Sequence, residues 1–458
     1  MSSSQTSCLT ARIVLWHLVL VMILNVAASA QRQLTLDDAV SLGLQSDEKY
    51  LIAKEELERA SGQIREAWSG ALPRIDFTGR YTRNIAIPEI VVELPEDAGG
   101  DQTFKMGTDH NYSLALTLTQ PVYLGGKVGG ALKVARYYES YAKQRLLQAR
   151  HDVVYEIKEG FFMAKLAGDV VNVYDDAIEA AELNYGNVKK LFGQGMASEF
   201  DLLRAEVELA NLRPQLLKAK NGSEIAEINL KNRLGISAAE EILLSYEFDP
   251  ADLNEDIDLE SGLAYALESH PAISQQQYAV KSYNKVIGIT KADRMPQLVL
   301  QSSFDYINQT NTFSPPRDSW TNSWSASLVL SFPLFEGRAV SGRVMQARAD
   351  YNQAKFLAQQ IEENVLLAVR SAYASWQEAV ASLQSQERTI AQAEEGLRIA
   401  NLRYENGVGT QLEVLAAQTA NTQAKVNYIN AVYDYELAVA GFFRAAGYEP
   451  NVAGDEDE

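Results

Sequence analysis

RYENGVGTQLEVL, residues 403–415, sets two glycines, Gly407 and Gly409, in a short break between long proline-free stretches, with the carboxylate Glu413 just beyond. A helix–helix turn needs little more than a glycine that accepts positive φ. The chain nevertheless contains the arrangement twice. LFGQGMASEFDLL at 191–203 puts Gly195 and Asp201 in the corresponding places, 212 residues earlier.

The same offset of 212 relates Pro121-Val122-Tyr123-Leu124-Gly125 to Pro333-Leu334-Phe335-Glu336-Gly337, and Gly235 to Gly447. Upstream, LPRIDF at 72–77 matches MPQLVL at 295–300 with an offset of 223, so the first copy has a connection 11 residues longer within 84–111. Self-similarity of this extent marks an internal repeat. Each copy reads helix, strand, loop, strand, long helix, turn, helix. The boundaries are 31–240 for the first copy and 241–450 for the second, with an acidic tail at 451–458.

The long helices have a period of seven. Ile157, Ala164, Val171, Ile178, Tyr185 and Phe192 correspond to Val369, Trp376, Leu383, Ile390, Leu397 and Tyr404, all apolar or aromatic. A sustained heptad predicts helices packed lengthwise as a coiled coil. Ala372, Ala379, Ala393 and Ala400 add small side chains that allow close approach. No proline falls between Lys127 and Phe192, so this helix is expected to run roughly 100 Å.

The strands have a period of two. Tyr112, Leu114, Leu116 and Leu118 alternate with Ser113, Ala115, Thr117 and Thr119, and Trp324, Ala326, Leu328, Leu330 and Phe332 alternate with Ser325, Ser327, Val329 and Ser331. Their partners, Ile75, Phe77, Gly79, Tyr81 and Leu298, Leu300, Ser302, Phe304, Tyr306, alternate likewise. A half-buried soluble sheet and a membrane barrel both give this pattern. Four strands cannot close a membrane barrel, because the smallest need about eight and an open edge in lipid strands its backbone groups. If they span a membrane the chain must oligomerise, and a trimer supplies twelve strands.

The N-terminus bears on that choice. Arg12, the apolar run IVLWHLVLVMILNV and Ala28-Ser29-Ala30 form a signal peptide, residues 1–30, with cleavage expected after Ala30. The rest contains no cysteine and no apolar run long enough for a transmembrane helix. Exported chains of this kind are periplasmic, secreted or built into the outer membrane by strands. A net charge of −19 argues against nucleic acid as a partner.

Catalysis finds little support. His110, His151 and His270 show no metal-ligand spacing and read as surface or structural residues. GGKVGG at 125–130 lacks the ending of a phosphate loop, and there is no nucleophile elbow. No enzyme activity, cofactor or metal is expected.

Taken together, LTLDDAVSLGLQSDEKYLIA with ALESHPAISQQQYAV, QPVYLGGKV with FPLFEGRAV, and FGQGMASEFDLLRAE with RYENGVGTQLEVLAAQ resemble the TolC-like outer-membrane efflux proteins over roughly Leu34 to Gly447. The resemblance implies a mainly α chain with a small β part and a two-fold internal repeat. It implies in addition a homotrimer with a 12-stranded outer-membrane β-barrel continued by a long coiled-coil helical barrel across the periplasm. It also implies docking of a periplasmic adaptor protein, joined to an inner-membrane pump of proton-driven or ATP-driven type. The docking tips carry over to Gly195, Met196, Ala197 and Ser198 and to Gly407, Val408, Gly409 and Thr410. The pore constriction carries over to Asp201, Glu413 and Tyr404. Where some members have a second acid this chain has Ala416, and Gly409 stands where some carry a locking arginine, which puts a salt-bridge lock in doubt.

Six carboxylates from three copies of Asp201 and Glu413 would favour cations at a narrow mouth. Each acid also begins a returning helix, where it complements the macrodipole. The expected function is a passive conduit for small-molecule efflux. Alternatives are the exit duct of a type I protein secretion system and a non-conducting periplasmic coiled-coil scaffold.

Overall fold

The computed structural model describes residues 32–92, 102–246, 248 and 257–449. The expected leader at 1–30 and the tail at 451–458 lie outside these residues. The first copy comprises β1 (Arg32–Leu34), α1 (Leu36–Ser46), α2 (Glu48–Ser69), β2 (Arg74–Arg83), β3 (Glu89–Val92), β4 (Gln102–Lys105), β5 (His110–Leu124), α3 (Lys127–Gly193) and α4 (Glu199–Arg233). After β6 (Ile242–Leu244) come α5 (Leu259–Ser269), α6 (Pro271–Lys291), β7 (Gln297–Thr310), β8 (Thr321–Ser331), α7 (Ala339–Glu405) and α8 (Gln411–Ala446). The chain is mainly helical, and the two long helices, α3 and α7, are each 67 residues.

Three features differ from the sequence reading. Each copy opens on two helices, not one, because Asp47 and His270 break the backbone into extended φ/ψ at equivalent positions. Asp47 Oδ1 then accepts from the backbone N–H of Lys49 at 2.8 Å, and His270 Nδ1 accepts from that of Ala272 at 3.1 Å, so both cap the helix that follows. Second, the longer first connection contains the hairpin β3–β4. Third, β1 and β6 pair in parallel, with Leu34 opposite Leu244.

The chain divides into two compact units, each drawing on both copies: residues up to 54, 145–273 and from 362 onward form one, and 55–144 with 274–361 the other. The first unit is mainly helical and includes the short β1–β6 pair. Its main cluster gathers Leu34, Val153, Ile157, Phe161, Phe162, Leu230 and Tyr433, and a second gathers Ala379, Leu383, Val432 and Tyr435. Full burial of such side chains contributes about 1.5–3 kcal/mol each. The heptad residues carry this packing: Ile157, Ala164, Val369 and Leu383 are buried, and of the predicted seam only Phe192, at the end of α3, is exposed.

The copies exchange small and large residues at one contact. Gly43 leaves room for Ile157, whose Cδ1 would sit 2.1 Å from an added Cβ, and the equivalent residue in the second copy is Ala266. Conversely, Gly262 leaves room for Phe442, while the first copy has Ala39 there. Polar ties cross the same unit. Tyr433 donates to Asp169 at 2.7 Å, Lys165 pairs with Asp169 at 2.6 Å, and Glu156 takes Lys49 and Arg233 at 2.6 and 2.8 Å.

The second unit holds the antiparallel sheet β2-β5-β7-β8. Each copy contributes one edge strand and one central strand, and β5 and β7 join the copies. The register puts Phe77, Leu116, Phe304 and Trp324 in one row, and Asp76, Thr117, Ser303 and Ser325 in the adjacent row on the opposite face. One face is therefore apolar and the other polar, as the alternation predicted. The apolar face is bare: Phe77 is 71% and Trp324 80% exposed. Both edge strands, β2 and β8, lack an outer neighbour among the described residues. A register shift between Pro121 and Tyr123 marks a bulge where proline has no N–H to give the ladder.

Aromatic rings collect near the loop end of the sheet. Tyr81 stacks on His110 and shares a 2.8 Å hydrogen bond with its Nδ1, and Trp320 stacks on Tyr306. His110, His151 and His270 are all buried. This removes the surface alternative for them and leaves the structural one.

Candidate functional site

Both long helices end in the same way. In the first tip Gly195 has φ 73°, its N–H donates to Phe192 O at 2.9 Å, and Met196 N–H reaches back to Leu191 O at 2.9 Å. In the second, Gly407 has φ 75°, donates to Tyr404 O at 3.0 Å, and Val408 N–H donates to Arg403 O at 3.0 Å. This pair of bonds is a Schellman motif, which satisfies the last carbonyls of a helix and reverses the chain. It is the physical reason both tips need a glycine at that place.

The returning helices begin differently. Ser198 caps α4 in a reciprocal box: its Oγ accepts from Asp201 N–H at 3.2 Å, and Asp201 Oδ2 accepts from Ser198 N–H at 3.3 Å and from its hydroxyl at 2.6 Å. Thr410 caps α8 by accepting from Glu413 N–H at 3.3 Å, but the Glu413 carboxylate does not return the bond. Instead Glu413 Oε2 takes Arg403 Nε at 3.4 Å, and Arg403 also donates to Val408 O at 3.2 Å. Gly409 is held to the end of α7 by an N–H bond to Arg403 O at 2.9 Å. An added Cβ at Gly409 would meet Arg403 C and Tyr404 N, both at 3.0 Å, so the close approach itself selects glycine.

Of the three constriction candidates, two are linked by charge alone. The Tyr404 hydroxyl has its pKa raised by burial and then by the negative charge of Asp201. Glu413 is engaged by Arg403, and it shares no hydrogen bond with Asp201 in the protomer. Asp201 therefore serves as a helix cap and as Tyr404's neighbour at once. Arg403 is the residue the sequence reading missed. Without an arginine at 409, an arginine six residues earlier meets the carboxylate, because the turn folds the last turn of α7 onto the first turn of α8.

Around these polar groups the tips are apolar and bare. Met196 is 73% exposed and Val408 67%; Phe200, Leu203 and Leu412 are also exposed. Gln411, first in α8, is buried, and its amide makes no hydrogen bond among the described residues. The first copy has the exposed Glu199 there.

Comparison with known proteins agrees with the repeat. A model of the outer membrane efflux protein family matches residues 40–236 and 263–448. Protein CyaE of Bordetella pertussis is 26% identical over 389 residues, covering 84% of this chain and 81% of that relative. The cobalt-zinc-cadmium resistance protein CzcC of Cupriavidus metallidurans is 25% identical over 409 residues, covering 87% and 86%. Among solved structures, the Campylobacter jejuni CmeC outer membrane channel has the same fold, with a TM-score of 0.76 at 19% identity over 92% of this chain and 87% of that one. With both copies matched along nearly their whole length, the chain belongs to the outer membrane efflux protein family.

Proposed function

We propose that three copies of this chain assemble into a passive duct of the outer membrane that carries small molecules outward. The observation that carries this reading is the sheet β2-β5-β7-β8, with its exposed apolar face and two free edges. An open sheet in lipid leaves unpaired N–H and C=O groups, each costing several kcal/mol, so its edges must be closed by further copies. With an even number of antiparallel strands, β2 and β8 run in opposite directions. The edge of one copy can thus continue the antiparallel ladder of the next.

The chain is an outer-membrane protein, as its family is. The proteins of that family are channels and transporters, and the proposed duct performs no chemistry of its own. At the tips, Asp201 and Glu413 from each copy give the mouth its negative field, and Tyr404 beside Asp201 narrows it. The bare residues Met196, Phe200, Val408 and Leu412 suit docking of a periplasmic adaptor that connects an inner-membrane pump.

The test is electrical. Purified full-length protein in planar bilayers is expected to show a small, cation-selective conductance that grows when Tyr404→Phe is combined with Ser198→Ala. Protein that inserts but never conducts, even in that double variant, would sink the duct and favour a scaffold.

A further inference from the structure

The first copy turns from strand to helix through Gly125 and Gly126, at φ 64° and 86°, and the second turns through Gly337 and Arg338, at 57° and 66°. Arg338 is the sole non-glycine residue with positive φ among the described residues. A left-handed L-residue costs about 1–2 kcal/mol. Glycine in the first copy makes the same turn without that strain, so the cost attaches to the arginine side chain and points to a use for it.

Its surroundings combine bare apolar side chains with cations. An open groove of about 480 Å³ is lined by Asp293, Arg294, Leu334, Phe335 and Arg338 among others. Leu334 and Phe335 are 87% and 86% exposed. They follow directly on β8, whose apolar residues Trp324, Leu328 and Leu330 are themselves bare. The acids of the groove are already engaged: Asp293 holds Lys127 at 2.7 Å and Arg343 at 3.0 Å, and Glu336 lies 3.5 Å from Arg343. Arg294 and Arg338 have no carboxylate partner among the described residues. Four cations thus stand against two carboxylates, in a chain whose net charge is −19.

We propose that the turn at 333–338 is a binding site for the headgroup of an anionic phospholipid. Leu334 and Phe335 enter the acyl boundary, and the guanidinium of Arg338, seconded by Arg294, holds the phosphodiester. A planar guanidinium matches phosphate oxygens two at a time, which an ammonium cannot do. Apolar side chains beside cations are the composition that binds an anionic leaflet. A second copy of this chain is the poorer occupant, since the bare surface continues the row of β8 that the proposed function turns toward lipid. The site rests on that reading.

The experiment uses delipidated full-length protein and compares phosphatidylglycerol, phosphatidylcholine and free glycerol phosphate, by native mass spectrometry and by the shift in melting temperature. Wild-type protein is expected to retain phosphatidylglycerol about fivefold more tightly than phosphatidylcholine, the effect of about one interfacial cation. Arg338→Gly, which copies the first repeat, is expected to abolish the preference while melting at the same temperature or higher. Leu334→Ser with Phe335→Ser is expected to weaken both lipids. Equal retention of the two lipids by wild type, a preference surviving in Arg338→Gly, equal stabilisation by glycerol phosphate, or cross-linking of Leu334→Cys to a second copy would each overturn the site. Conductance in phosphatidylcholine bilayers, measured on the same samples, reports on the duct separately. A conducting protein without lipid preference refutes this site alone.

Discussion

The two copies of the repeat share a backbone plan and diverge in how each secures it. Where the first copy uses a short carboxylate at its helix break, Asp47, the second uses a buried imidazole, His270. Where the first tip closes with the Ser198–Asp201 box, the second has a one-way cap and an ion pair, Arg403–Glu413. Where the first tip has Ala197, the second draws its backbone against α7 and admits only Gly409. Duplicated segments thus keep the turns that φ demands and exchange the polar groups that hold them. The first copy relies on local side-chain caps; the second adds groups whose strength depends on pH, packing or salt.

The largest consequence is acid sensitivity centred on His270, whose neighbour His151 of the first copy is also held down by burial. His270 is held down to a pKa of about 4 by burial first and then by the neighbouring His151, with Asp152 opposing. Unfolded, a histidine titrates near 6.5. The unfolded chain therefore takes up the proton first, so this contribution to stability is complete above about pH 6.5 and is lost as pH falls through about 4. A depression of this size is worth about 3 kcal/mol. His270→Asn keeps a neutral cap acceptor and is expected to flatten the dependence of the melting temperature between pH 7 and 4. A slope identical to that of wild type would remove His270 from the account.

Next in size is the close approach at the second tip. A branched side chain at 409 meets backbone atoms that cannot rotate away, and overpacking of this kind costs about 1–3 kcal/mol. Gly409→Val is expected to speed amide exchange across 403–410 and leave 191–198 unchanged. Ala197→Gly, the reciprocal change, should alter the first tip by no more than about 0.5–1 kcal/mol of backbone entropy. Uniform protection in Gly409→Val would show that the contact is not limiting.

How much of this was legible in the chain follows from which forces are periodic. Heptads exposed the seam because burial recurs every seventh residue, and Ile157, Val369 and Leu383 are indeed buried. Alternation fixed both faces of the sheet, and the recurring glycines fixed the tips. The split of the first helix had a signal in His270-Pro271, since the residue before proline avoids the α region, but Asp47-Glu48 carries none as clear. The β1–β6 pair is three residues long and has no period to read. Arg403 lay within the first stretch quoted, ten residues before Glu413; only the Schellman turn brings the two side chains together.

The caps differ by a smaller amount. Removing a capping hydroxyl costs about 1 kcal/mol, and the reciprocal box makes Ser198→Ala the larger of the pair, because it removes both bonds of the Ser198 hydroxyl, the one accepted from Asp201 N–H and the one donated to Asp201 Oδ2. Thr410→Ala forfeits the single bond to Glu413 N–H. Exchange rates at 199–203 and 411–415 are expected to rise in that order, and the reverse order would mean that the Arg403 pair supports the second tip more than its cap does.

The smallest effect on stability is expected at Arg403 itself, and it is the most informative about function. The pair is half exposed on both sides, 51% and 46%, so solvent and salt reduce its contribution to about 1 kcal/mol or less. In the proposed trimer its electrical effect would not be reduced in the same way, because a mouth of three copies would gain three uncompensated carboxylates when the arginine goes. Arg403→Gln is expected to leave the melting temperature nearly unchanged and to raise cation selectivity in the reversal potential. Glu413→Gln should lower it, and the double variant should return close to wild type. If Arg403→Gln leaves selectivity unchanged while Asp201→Asn reduces it, the field at the mouth belongs to the first tip alone. The second tip would then be a docking surface whose ion pair only holds its shape.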